Sequence, residues 1–240
     1  MVKRVLIIKN VTREGPGLFK TVLQKNKIPY EIIDFGEKEN FPSLKNYGAL
    51  VVLGGPDSAN DNTKKIKTEI KKVQESLSLK LPYLGICLGL QILVKAAGGQ
   101  VIKSPIKEIG FRGPTGKVFK VNLTQEGQKD PLFKELGNQF NVFHLHGETV
   151  KLTRGMKLLA RGEFCHNQIV KVGTHAYGIQ CHFELTSAMF NKWLNKDPDL
   201  LKLNKEKLIS DFTDLQDKYR EIGQRLFRNF LHIANFPISL

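Results

Sequence analysis

With 240 residues, 41% hydrophobic and 25% charged, the chain suits one large domain with its own core. It lacks the composition of a disordered protein, and no apolar run approaches the roughly 18 residues of a membrane span. Lys and Arg outnumber Asp and Glu by 37 to 23, a formal charge of +14, but the excess is dispersed over Lys64-Lys65, Lys67, Lys71-Lys72 and 192–228 without an aromatic stripe, so it reads as solvated helix faces and nucleic acid is not an expected partner.

The first apolar run, Val5-Leu6-Ile7-Ile8, is too short for a signal peptide and predicts a buried strand over 4–9. A helix is expected at 18–25, a strand at 30–34 and a third strand at 49–53, ending in Gly54-Gly55-Pro56. Ile66, Ile70, Val73 and Leu77 at helical spacing predict a helix over 63–79 with lysines on its outer face. A strand at 82–86 and a helix at 88–97, stopped by Gly98-Gly99, complete the first half. Strand alternating with helix four times predicts a parallel sheet covered on both faces.

The second half changes character. Short strands are expected at 118–123, 140–145, 157–161, 168–172 and 176–180, extending the sheet as a mixed or antiparallel one. The tail, 187–236, reads as helical, with Tyr219, Ile222, Leu226, Phe230 and Ile233 as an apolar stripe that docks on the same domain. The fold class is therefore α/β, a central mostly parallel (mixed) sheet flanked by helices with a helical C-terminal tail. The expected organisation is a catalytic domain at 1–186 and a helical extension at 187–240.

The most informative stretch is Leu84-Gly85-Ile86-Cys87-Leu88-Gly89-Leu90-Gln91. A strand runs into Cys87 and a helix leaves it, and a glycine two residues to either side admits a tight turn that a side chain would block. This is a nucleophile elbow with sulfur in place of oxygen, at a helix N-terminus whose dipole favours a thiolate. A thiolate needs a base, and His182 in Gly178-Ile179-Gln180-Cys181-His182-Phe183-Glu184 follows a strand with an acid two positions on to orient its ring. His144, His146, His166, His175 and His232 lack that arrangement, apart from His146 with Glu148. Three widely spaced cysteines, Cys87, Cys165 and Cys181, form no disulfide framework and suit the cytoplasm. Cys165-His166 and Cys181-His182 lack the spacing of a zinc site, so no metal is expected.

LGICLGLQ, the earlier VVLGGPDSAND and the later GIQCHFE, in that order, resemble the class I glutamine amidotransferases over about residues 2–186, and among them the stand-alone, glutaminase-like members. The resemblance implies a flavodoxin-like fold and Cys-His-Glu catalysis through a cysteinyl thioester. Cys87 would attack the glutamine side-chain amide, His182 would move the proton and Glu184 would hold His182. The oxyanion hole would be built from the backbone N–H groups of Gly55 and Leu88. Gly54, Gln91, Leu145 and His146 would bind substrate, and Glu108-Ile109-Gly110 would shape the pocket wall. Two positions depart from the family pattern: Phe183 stands where a proline is usual, and Leu145 where a small residue is usual.

No phosphate-binding Gly-x-x-x-x-Gly-Lys-Ser/Thr loop occurs, so no cofactor is expected and ATP-driven acceptor chemistry falls to a separate synthetase subunit, if the enzyme uses one. The expected activity is release of ammonia from glutamine by an amidotransferase or hydrolase. Alternatives are a γ-glutamyl peptidase acting on γ-glutamyl peptides or conjugates and, in another class, a non-catalytic regulatory subunit of a synthetase. The small-molecule partner is glutamine or another γ-glutamyl compound, and no membrane is involved.

Overall fold

The computed structural model describes residues 3–37 and 40–238; the domain limits expected at Met1 and Leu240, and the start of the resemblance at residue 2, lie outside them. In chain order the first half comprises β1 (Arg4–Lys9), α1 (Gly17–Lys25), β2 (Tyr30–Asp34), β3 (Tyr47–Val52), α2 (Lys64–Ser78), β4 (Tyr83–Ile86) and α3 (Leu88–Ala96). Val5 and Ile7 of β1 enter one apolar cluster and Leu6 and Ile8 the other, so successive side chains feed opposite faces and both are buried. Helices α1 and α2 cover those two faces. Leu18, Phe19, Val22 and Leu23 pack on the first, Ile66 and Val73 on the second. The side chain of Thr63 caps α2 by accepting from the Ile66 N–H at 3.3 Å.

The second half adds β5 (Gln100–Gly110), β6 (Lys120–Leu123), α4 (Gln125–Lys129), β7 (Gln139–Asn141), β8 (His144–Lys151), β9 (Met156–Arg161), β10 (Ile169–Val172), β11 (Ala176–Ile179), α5 (Ser187–Leu194) and α6 (Lys205–Ile233). The main sheet has the order β2-β1-β3-β4-β11-β10-β9-β6-β7. Pairs from β2 to β11 are parallel and those beyond are antiparallel. The parallel portion has the flavodoxin-like order, which opens a ligand crevice at the carboxyl ends of its strands. The fold is thus the expected mixed α/β sheet.

One expectation is corrected. The single strand predicted at 140–145 is divided between β7 in the main sheet and β8, which pairs with β5 in a separate two-stranded sheet. Strand β5 escaped notice because Pro105 and its lysines read as a loop. Its pairing breaks between Lys103 and Glu108, so the proline sits where the ladder is interrupted. The predicted apolar stripe lies on α6, where Tyr219, Ile222, Leu226 and Phe230 are buried, and Phe227 meets Phe19 of α1 edge-on at 5.2 Å. Among the described residues no helix is long and apolar enough to cross a membrane.

Candidate active site

The loops after β1, β3, β4 and β11 leave the same end of the parallel sheet, and a cavity of about 420 Å³ opens there, in the size range of small-molecule sites. Cys87 stands between β4 and α3 with φ 52° and ψ −105°, a left-handed conformation that is strained for any residue with a side chain. The flanking glycines are required by close approach. A Cβ on Gly85 would strike the Gly89 carbonyl, and one on Gly89 would strike the Val52 carbonyl of β3. The sulfur points into the pocket wall, 3.7 Å from the Gln180 Nε2 donor and 3.9 Å from the Leu145 carbonyl.

His182 follows β11 by three residues. Its Nδ1 lies 2.6 Å from Glu184 Oε1, while its buried Nε2 has no hydrogen-bond partner. Burial alone would lower the ring's pKa; the charge of Glu184, the direct interaction with the Cys87 sulfur and the Glu184 hydrogen bond outweigh it and push the pKa well above the ordinary value. A Cβ on Gly54 would lie 3.4 Å from Cys87 Cβ, 3.4 Å from His182 Cε1 and 2.9 Å from Glu14 Oε2, so the nucleophile candidate, the ring and a second carboxyl surround one small space.

The departure at Phe183 acquires a physical meaning here. Its backbone N–H donates to Glu184 Oε2 at 3.0 Å, a bond no proline can make, so both Glu184 oxygens are engaged. The ring of Trp193 from α5 stacks edge-on against His182 at 5.1 Å. Tyr219 from α6 donates its hydroxyl to the His182 carbonyl at 2.8 Å and accepts from the Leu185 N–H at 3.4 Å. The C-terminal helices therefore brace the histidine segment. Tyr219→Phe leaves those two buried backbone groups without their partner and is expected to cost about 1–3 kcal/mol. Urea unfolding checks this, and an unchanged midpoint would show that the hydroxyl holds nothing.

The other expected site residues gather around the same cavity. Gly55, Leu88, Gln91, Leu145 and His146 all line it. The backbone N–H groups of Gly55 and Leu88 donate to no backbone carbonyl among the described residues. Gln91 reaches the Glu148 carbonyl and Gln180 Oε1, each at 3.4 Å. The pairing of His146 with the side chain of Glu148 is corrected: its carboxylate partner is Glu108, with Nε2 to Oε2 at 3.0 Å, and only the Glu148 backbone carbonyl meets Nδ1, at 3.1 Å. The pleat explains this, because Glu108 and His146 are register partners across β5 and β8. His144 completes a buried trio with them, its pKa held well below the usual value by burial and then by His146 and His182. Their polar atoms lie within 4.8 Å of one another, close enough for a cation, and already hydrogen-bond among themselves.

Sequence reasoning missed Glu14 and Gln180. Glu14 belongs to Glu14-Gly15-Pro16-Gly17, in the loop between the first strand and the first helix, where parallel α/β sheets place ligands; that position was the available signal. Gly17 has φ +42° and a Cβ there would strike the Glu184 carbonyl, which accepts from the Leu18 N–H at 2.8 Å. The Glu14 loop is thereby packed against the histidine segment.

The profile of the glutamine amidotransferase class-I family matches residues 11–197. A glutamine amidotransferase-like protein of Salmonella typhimurium is 29% identical over 194 residues, 78% of each chain. A glutamine-hydrolyzing GMP synthase of Thermosipho melanesiensis is 30% identical over 196 residues, 80% of this chain but 35% of that one, so the chain spans about a third of that relative's length. The crystal structure of a glutamine amidotransferase from Thermotoga maritima shares the fold with a TM-score of 0.84 at 26% identity, covering 96% of this chain and 99% of the other.

Proposed function

The chain belongs to the class-I glutamine amidotransferase family, and on that premise we propose that it hydrolyses the side-chain amide of glutamine through Cys87, His182 and Glu184. The observation that carries this reading is the position of His182, with Glu184 on one ring nitrogen and the other facing no partner beside Cys87. In the proposed cycle His182 takes the Cys87 proton and the sulfur attacks the amide carbon. The C–N bond then breaks as His182 returns the proton to the departing nitrogen. Ammonia leaves a thioester on Cys87, which water cleaves to glutamate, the proton passing through His182 again. The N–H groups of Gly55 and Leu88 would stabilise the oxyanion, each contributing about 2.7–4 kcal/mol to lowering the barrier. Gly54, Gln91, Leu145 and His146 would hold the substrate around this centre.

In this reading residues 1–186 form the catalytic unit and 187–240 an extension packed on it, bracing His182 through Trp193 and Tyr219. The likeness to GMP synthase supports a synthetase as a further partner, supplied with the ammonia. Three cysteines without a disulfide support a reducing, cytoplasmic setting. The size of the cavity favours, as a second reading, a γ-glutamyl amide with a leaving group larger than ammonia.

Ammonia release from glutamine, followed with a glutamine-mimicking diazo-ketone, tests the proposal. Labelling is expected at Cys87 and not at Cys165 or Cys181. Burial pushes the Cys165 thiol up to about 11 and the Cys181 thiol well above its usual range, so both stay protonated at neutral pH. Equal labelling of all three thiols would contradict an activated Cys87.

A further inference from the structure

Glu14 is a buried carboxyl in the pocket wall that the proposed cycle does not use. It is 6% exposed, and its Oε2 borders the small space at Gly54 shared with Cys87 and His182. Two positive groups act on it: His182 across that space, and Arg13, with Nη2 at 3.8 Å from Glu14 Oε1, though Asp197 holds that same nitrogen more closely at 3.1 Å. The second basic side chain of the wall, Lys107, is paired with Asp199. An incoming carboxylate would therefore meet Asp197 and Glu14 around a single guanidinium. A departing amine would meet a carboxyl to which no hydrogen-bond donor is directed among the described residues.

Resting on the γ-glutamyl amide chemistry proposed above, we propose that Glu14 forms a leaving-group subsite that selects γ-glutamyl amides whose departing amine bears an ammonium group over those whose departing amine bears a carboxylate. During acylation the C–N bond breaks and the amine takes its proton from His182. Glu14 only accepts a hydrogen bond from the departing nitrogen or its distal ammonium, and ends the step in the protonation state in which it began. The low dielectric of the wall strengthens such a charge interaction relative to water.

The groups that face Glu14 are Arg13 on its own loop, His182 and Glu184 after β11, Cys87 at the elbow, and Asp197 after α5. Burial raises the Glu14 carboxyl to about 7, against the opposing pull of His182 and Arg13. The carboxylate form, and with it the selectivity, is thus present above about pH 7 and fades below it.

Three probes of similar size decide the matter: the γ-glutamyl amides of a short diamine, of ethylamine and of alanine, compared by kcat/KM. The diamine amide is expected to be favoured over the ethylamide, and the ethylamide over γ-glutamylalanine, by roughly tenfold at each step above neutrality. The ranking should contract below neutral pH. Glu14→Gln should flatten it and remove its pH dependence, which a merely structural carboxyl would not do. A preference for γ-glutamylalanine, or a ranking that survives Glu14→Gln with its pH dependence intact, overturns the subsite. If that variant does not fold, the pH dependence of the unmodified chain's ranking decides alone. Diazo-ketone labelling of Cys87 with no ranking among the probes defeats only the subsite. No labelling of Cys87 and no turnover defeats the proposed function and the subsite together.

Discussion

Cys87→Ala is expected to reduce ammonia release from glutamine by about 10⁵–10⁶-fold while leaving the fold intact. The proposed reaction has no route that bypasses the sulfur, because the thioester splits one difficult hydrolysis into two easier steps. Alanine keeps the backbone at φ 52° with the same Cβ, so the strain at the elbow is unchanged. The sulfur itself is held only loosely, by the Gln180 donor at 3.7 Å and the Leu145 carbonyl at 3.9 Å. Thermal unfolding should therefore shift little. Turnover within tenfold of the unmodified chain would end the mechanism, whatever the melting curve showed. Cys165→Ala and Cys181→Ala, by contrast, remove thiols that burial keeps protonated.

Glu184→Gln is expected to lower kcat by about 10³–10⁴-fold. Glu184 accepts two hydrogen bonds, from His182 at Nδ1 and from the Phe183 N–H. An amide has one acceptor oxygen. If that oxygen serves His182, the amide nitrogen faces the Phe183 N–H, donor against donor. If it serves Phe183, the amide nitrogen donates to Nδ1 and drives the ring proton onto Nε2, the tautomer that cannot take a proton from Cys87. The same substitution changes stability with pH. In the unmodified chain the raised His182 pKa contributes stability that is fully present below the unfolded value of about 6.5 and is lost as pH rises through the folded value. Without Glu184 the largest influence raising that pKa is gone, so less of this stability remains at acid pH. The gap in melting temperature between the two proteins should widen toward acid. A gap that narrows below neutrality would mean that Glu184 is not what holds the proton on His182.

Much of the architecture is written locally. The runs Val5 to Ile8 and Leu50 to Val52 are apolar at every position because both faces of a parallel strand are buried, and such a run is visible without neighbours. The elbow is nearly as local, since Gly85, Cys87 and Gly89 lie within one turn and Gly85 answers a close approach only four residues away, while Gly89 also makes room for the Val52 carbonyl of β3. Strand β5 was not legible. Its partner β8 lies some forty residues on, and a proline-bearing, lysine-rich strand shows its character only when the opposing strand is in place. The partner of His146 was misread for the same reason: Glu148 is near in sequence, but Glu108 is across the ladder.

By itself, then, the sequence determined the alternation of strands and helices, the strained cysteine at the carboxyl end of β4, and a histidine with an acid two positions on. These are contacts and periodicities within a few residues, which backbone geometry enforces wherever the chain goes. Only the tertiary structure decided that Glu14 shares the space beside Cys87 and His182, that Phe183 supplies the N–H a proline would lack, and that Trp193 and Tyr219 brace the histidine from helices at the other end of the chain. Burial and charge pairing at that cavity depend on which distant segments meet, and no local pattern carries that information.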